Sequence, residues 1–273
     1  MNPNLQRRVQ RYGWDKAAEY YETCWQEQLK PAQDLLLKMT EAQAGDKIID
    51  TAAGTGLVTF KFFEKIGVAG SVLATDISDE MVKIGNHLCS KNNYSNIEFK
   101  RMDSEELNSE DNFFDIATCA LGLMYFPYPE TALSEMKRVL NPGGKAIAAV
   151  WGSRKNCGWA EIFPIVDKRV NTDVCPMFFN LGEGNVLKFS FEQAGFENIN
   201  LEKIQTQLIY KTAEEACDAA FLGGPVAMAY SRFDLNTREE AKEEYLKSIE
   251  EFKINGNYEI PGEFVVCSGY KPN

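Results

Sequence analysis

The stretch Ile48-Ile49-Asp50-Thr51-Ala52-Ala53-Gly54-Thr55-Gly56 decides how the rest of the chain is read. An apolar run of strand character enters a turn of small residues, and LVTFKFFEKI behind it has the period of a helix. Small residues let a ligand approach the backbone, and the first N–H groups of the new helix are free to hydrogen-bond its polar atoms. A glycine-rich turn of this kind also suits a dinucleotide. Asp50, ahead of the glycines at the strand end, would crowd a pyrophosphate and favour a cationic ligand, and no G-x-G-x-x-G is present.

Outward from this turn, strands and helices alternate. SVLATDI, NIEFKRMD, FFDIATCALG and GGKAIAAVW read as further strands, with SDEMVKIGNHLCSKN and PETALSEMKRVL as the helices between them. Right-handed βαβ crossovers then require an α/β fold with a doubly wound, mostly parallel sheet, helices on both faces, and ligands at the carboxyl ends of the strands. Two helices precede the first strand, over residues 14–44. After Trp151 the alternation breaks at GWAEIFPIVDKRV to PMFFNLG, resumes with helix GNVLKFSFEQAGF and strand INLEKIQTQLIY, breaks again in a helical region, and ends on strand GEFVVCSGYK. We read one domain over 1–273, with an N-terminal helical lid at 1–45 and cap insertions at 152–182 and 211–256.

A formal charge of −11 opposes nucleic acid as a substrate, because phosphate contacts need clustered Lys and Arg. The apolar runs are too short to cross a bilayer, so no membrane insertion is expected, and the basic start MNPNLQRRVQRYGWDK lacks the apolar stretch of a secretory signal, although a short amphipathic targeting peptide stays open. Seven scattered cysteines with no C-x-x-C pair read as reduced thiols in a cytoplasmic protein without a metal site. The oligomeric state is open, a homodimer included.

Three acids fall in register at strand ends. Asp50 is the first; Asp76, closing SVLATDI, is suited to accept hydrogen bonds from two ribose hydroxyls, or to cap the helix that follows. Asp103 with Ser104 offers a carboxylate and an N–H to the edge of a purine. The sole histidine, His87, lies on a helix remote from the strand ends, and Asp115 sits at the opposite edge of its strand, where a structural role is expected.

On DTAAGTG, LATDIS-x-x-MV, RMDSEEL, FFDIATCALGLMYFPYPETAL and MKRVLNPGGK, in this order, residues 14–151 resemble the class I methyltransferases, specifically the ubiquinone/menaquinone-biosynthesis-like branch called methyltransferase type 11. The resemblance implies a Rossmann-like, seven-stranded sheet with an antiparallel last strand, and S-adenosylmethionine as cofactor. It implies Asp50, Ala52, Gly54, Thr55 and Gly56 around the methionine moiety, Asp76 and Ile77 at ribose and adenine, Met81 beside the adenine, Asp103 and Ser104 at its edge, and Ala120 and Leu121 near the sulfonium. Trp14 and Tyr21 fall where the family has a lid over the cofactor. Ala52 departs from the pattern, since the family more often has glycine there.

Methyl transfer needs positioning and exclusion of water more than an acid or base, and no catalytic base is identified. Tyr125, Trp151 and Trp159 are expected to line the substrate pocket, because aromatic residues concentrate after the fourth and fifth strands together with Tyr128, Phe163, Phe178 and Phe179. The expected reaction is methyl transfer to an O, N or C atom of a small molecule. Competing readings are a lipid- or quinone-like acceptor, a non-catalytic methyltransferase-like binding subunit, and a nicotinamide oxidoreductase. The first competes on substrate alone, the second is disfavoured by the full set of cofactor residues, and the third by Asp50.

Overall fold

Ile48, Ile49, Ala117, Ala146 and Ile147 are all fully buried, because the strands that carry them are covered on both faces. In the computed structural model, which describes residues 2–170 and 175–273, the first strand β1 (Lys47–Thr51) follows two helices, α1 (Pro3–Trp25) and α2 (Lys30–Thr40). Then come α3 (Thr59–Ile66), β2 (Ser71–Asp76), α4 (Asp79–Asn92), β3 (Ile97–Arg101), β4 (Phe114–Ala120), α5 (Pro129–Val139) and β5 (Leu140–Trp151). The first insertion contributes the short α6 (Ile162–Asp167), and α7 (Val186–Gln193) leads into β6 (Glu197–Tyr210). The second contributes α8 (Ala213–Phe221), α9 (Ala227–Ser231) and α10 (Leu235–Ser248), before β7 (Lys253–Ile254) and β8 (Asn257–Tyr270). Residues 171–174 of the first insertion, and Met1, lie outside the described residues.

The strand order is β3-β2-β1-β4-β5-β8-β6. β1 pairs in parallel with β2 and β4, β2 with β3, and β4 with β5. β8 runs antiparallel between β5 and β6. The expected seven-strand path is therefore present, with one addition: the two-residue β7 folds back on β8 as a hairpin and makes the sheet eight-stranded. The direction of winding reverses at β1 and β4, which opens a crevice beyond their carboxyl ends.

The N-terminal helix corrects the expected start at residue 14, since α1 begins at Pro3. Asn2 caps it by accepting from the N–H groups of Asn4 and Leu5, and Pro3 sits in the first turn, where its missing N–H costs nothing. The first half of α1 packs through polar side chains, so no apolar period marked it. Asp115 is structural as expected, accepting from the Lys47 N–H at 2.9 Å and from Asn141 Nδ2 at 2.9 Å.

Candidate active site

Beyond the carboxyl ends of β1, β2 and β4 lies a cavity that is partly open to solvent. From the expected set it is lined by Trp14, Tyr21, Ala52, Gly54, Asp76, Ile77, Met81, Asp103, Ser104, Ala120, Leu121 and Tyr125. Asp50, Thr55 and Gly56 are not among its lining residues. Asp50 is buried beneath the turn, where its Oδ2 accepts from Thr59 Oγ1 at 2.6 Å and its Oδ1 from Thr118 Oγ1 at 2.8 Å, tying β1 to α3 and β4. Thr55 is buried, and its hydroxyl has no hydrogen-bond partner among the described residues. Gly56 answers to packing, since a Cβ there would stand 2.5 Å from Phe60 and 2.8 Å from Phe99.

Asp76 lies on the cavity wall. Its Oδ2 accepts from the Gly54 N–H and its Oδ1 from the Ser78 N–H, each at 2.9 Å, so the carboxylate holds the small-residue turn in place. Ser78, not Asp76, caps α4, accepting from the Met81 N–H at 3.2 Å. Burial pushes the carboxyls of Asp76 and Asp50 up to about 6, against hydrogen bonds that favour the charged forms. Burial, then the charges of Asp76 and Asp50, raise the Tyr21 phenol; burial chiefly raises that of Tyr125.

Helix α1 borders the cavity with residues that the sequence reading did not single out. Arg7 pairs with Asp103 at 2.9 Å and Glu105 at 2.6 Å, and Gln6 Nε2 donates to the Tyr125 carbonyl at 3.2 Å. Arg11 pairs with Asp79, and Asp15 accepts from Ser78 Oγ at 2.6 Å. A signal for Arg7 was present: Arg7, Trp14 and Tyr21 recur at a spacing that puts them on one face of a helix.

A second, smaller cavity adjoins the first, and both are lined by Trp14, Tyr21, Leu121 and Tyr125. Trp151 and Trp159 line it together with Trp25, Leu29, Met124, Phe178, Gly224 and Pro225. The rings form a continuous cage: Trp151 to Trp159 is 4.8 Å, Trp159 to Phe178 is 5.6 Å, and Tyr125 to Phe178 is 5.4 Å between centroids. Among the described residues, no charged side chain lines this cage. His87 is exposed on α4, outside both cavities. Among the described residues no cluster of His, Cys, Asp or Glu could hold a metal.

Residues 26–164 match the model of the ubiE/COQ5 methyltransferase family. The ubiquinone/menaquinone biosynthesis C-methyltransferase UbiE of Ectopseudomonas mendocina is 31% identical over 179 residues, covering 60% of this chain and 70% of that protein. Its counterpart in Pseudomonas fluorescens is 28% identical over 189 residues, covering 63% and 73%. Among solved structures, the YcgJ protein of Bacillus subtilis aligns with a TM-score of 0.62 at 16% identity, over 89% of this chain and 99% of that one. The Haemonchus contortus phosphoethanolamine N-methyltransferase 2, in complex with S-adenosyl-L-methionine, aligns with a TM-score of 0.62 at 15% identity, over 95% and 57%. At these identities the likeness of the structures is one of fold. With the family model covering half of its length and the methyltransferase architecture in place, the chain belongs to the ubiE/COQ5 methyltransferase family and is an S-adenosylmethionine-dependent methyltransferase.

Proposed function

We propose that the larger cavity holds S-adenosylmethionine and that the aromatic cage holds a small acceptor molecule at its methyl end. The observation that carries this reading is the junction: Trp14, Tyr21, Leu121 and Tyr125 wall both cavities, so a methyl group in one faces the contents of the other. The donor set fits the cofactor. Asp76 has lone pairs left for ribose hydroxyls, Ile77 and Met81 offer apolar contact to a purine, and Asp103 and Ser104 lie where its edge would fall. Asp50 and Thr55 would then act on the turn from behind the cavity wall, and Gly56 on its packing.

When bound, the cofactor supplies an electrophilic methyl group on a leaving sulfur. The chain's own part is to align the acceptor and keep water out, through α1 as a lid and the 152–182 and 211–256 insertions as caps. Tyr21 and Tyr125, raised above their ordinary range by burial, stay protonated at neutral pH and act there as hydrogen-bond donors and not as bases. The aromatic walls favour an arene or quinone-like acceptor over a nucleic acid, in keeping with the net charge of −11. Unpaired thiols support a cytoplasmic setting. No helix among the described residues is long and apolar enough to cross a membrane.

Isothermal calorimetry tests the cofactor assignment. S-adenosylhomocysteine should bind more tightly than NAD, because Arg7, the only cation lining the larger cavity among the described residues, is already paired with Asp103 and Glu105. Tighter binding of NAD would overturn it.

A further inference from the structure

Glu263 is a buried acid to which nothing in the proposed reaction gives a task. It stands on β8 at 4% exposure, and the hydrogen bonds that its side chain accepts all come from neutral groups. Oε1 accepts from the Ser153 N–H at 3.0 Å, and Oε2 accepts from Asn156 Nδ2 at 2.9 Å and from Gln205 Nε2. Burying a carboxyl group among neutral donors costs more than burying an apolar chain of the same length. What the carboxylate offers in return is acceptor capacity, since its two oxygens carry about four lone-pair sites where an amide of the same shape carries two. One side chain thereby gathers donors from two places, Ser153 and Asn156 in the turn after β5 and Gln205 directly across on β6.

The turn so held is the one from which the aromatic cavity is built. Trp151 ends β5 just before it, Trp159 follows it after Gly158, and their ring centroids lie 4.8 Å apart. The backbone is pinned at the same places: the Gly152 N–H donates to the Glu263 carbonyl at 2.6 Å, and the Gly158 N–H to the Pro261 carbonyl at 2.8 Å. These approaches leave no room for side chains. A Cβ on Gly152 would collide with the Glu263 side chain, and one on Gly182 with the Trp151 carbonyl. Ser153 Oγ donates to Glu183 at 3.0 Å, which ties the stretch after Phe178 to the same node, and Trp151 packs on Phe264, the next residue of β8, at 4.2 Å between centroids. Residues 151–159 do not line the larger cavity, so this node acts on the aromatic one alone.

Resting on the reading of the aromatic cavity as the acceptor site, we propose that Glu263 is a positioning residue for the methyl transfer. Its carboxylate fixes the turn of residues 152–158, and through that turn the mutual placement of Trp151 and Trp159, without itself touching cofactor or acceptor.

The two indoles supply the readout. Rings this close couple their electronic transitions, and the coupling gives a band of two signs in far-ultraviolet circular dichroism whose size depends on their separation and angle. Trp159→Phe in the otherwise unaltered chain measures how much of that band Trp159 supplies. Glu263→Leu, which keeps the size of the side chain and removes its acceptors, should lose about half of that amount or more, while affinity for S-adenosylhomocysteine in a calorimeter stays within about threefold. Asn156→Ala removes one donor from the turn, should reduce the band in the same sense, and serves if Glu263→Leu does not fold. A full band in folded Glu263→Leu, or in Asn156→Ala where the first variant does not fold, would overturn the proposal. A loss of S-adenosylhomocysteine affinity of about tenfold or more in Glu263→Leu would overturn it too, by making Glu263 a support of the whole fold. Neither result touches the reading of the aromatic cavity, because no acceptor is present in the experiment. Failure of the unaltered chain to bind S-adenosylhomocysteine would overturn the reading of the two cavities instead, and with it the role of Glu263 in methyl transfer.

Discussion

At the scale of single residues, two non-glycine positions on the cavity wall hold left-handed backbone: Ala52 at φ 51° and Leu121 at φ 62°. Such a conformation costs a side-chain-bearing residue about 1–2 kcal/mol, and concentrations of it mark sites where geometry is held for function. It explains why glycine suits position 52. The methyl of Ala52 is accommodated because the facing residue is Gly122, where a Cβ would come within 2.4 Å of Ala52 Cβ and 3.1 Å of Cys119 Sγ. Gly122→Ala should therefore destabilise the protein by about 1–3 kcal/mol in urea denaturation, and adding Ala52→Gly should recover roughly half of the loss. Strict additivity of the two substitutions would show that the methyl groups do not meet.

Asp76 carries a second residue-scale prediction. Its folded value of about 6 lies above the ordinary 3.8, as does that of Asp50, so the native state binds protons more tightly than the unfolded chain. The stability these groups contribute is full below the ordinary value and lost as pH rises through about 6. Cofactor affinity should run the opposite way, because ribose hydroxyls donate to the ionised carboxylate. Binding of S-adenosylhomocysteine should weaken as pH falls through about 6, and Asp76→Ala should cost roughly 2–4 kcal/mol of affinity at neutral pH and flatten the profile. An unchanged affinity in the variant would remove Asp76 from the site.

At the scale of elements, α1 is the piece that lies across the crevice. It reaches the opposite wall through Arg7 on Asp103 and Glu105 and Arg11 on Asp79, while Trp14, Tyr21 and Trp25 face the two cavities. Arg7 is about a quarter exposed at 26%, so water and salt partly screen these pairs. Arg7→Ala should weaken S-adenosylhomocysteine binding by about 1 kcal/mol, faster dissociation carrying the loss, and raising ionic strength should weaken the unaltered protein more than the variant. Stopped-flow dissociation at two salt concentrations measures both. Equal salt dependence in the two proteins would mean that the clasp does not hold the lid.

At the scale of the whole molecule, the strand order places the ends of β1, β2, β4 and β5 at one edge of the sheet, and α1 and both insertions gather over that edge. The insertions leave the sheet after Trp151 and Tyr210, the last residues of β5 and β6. The antiparallel β8 then closes the sheet between those two strands, so the two detours flank one region.

What the sequence determined by itself is whatever is written in local period and turn chemistry. The run from Ile48 to Gly56, the alternation of apolar strands with amphipathic helices, and acids at successive strand ends define the sheet and the wall of the larger cavity, because each is a property of a few neighbouring residues. Tertiary structure alone decided the direction in which side chains of the turn point. Asp50 and Asp76 look alike in sequence, each an acid ending an apolar strand, yet Thr59 and Thr118 draw Asp50 beneath the turn while Asp76 stays on the cavity wall. It also decided how α1 meets the cavity wall and how the aromatic rings gather. Arg7 meets Glu105, and Trp25 meets Trp151 and Trp159, only after distant segments pack together, and pairing across such separations leaves no period in the chain for a local reading to find.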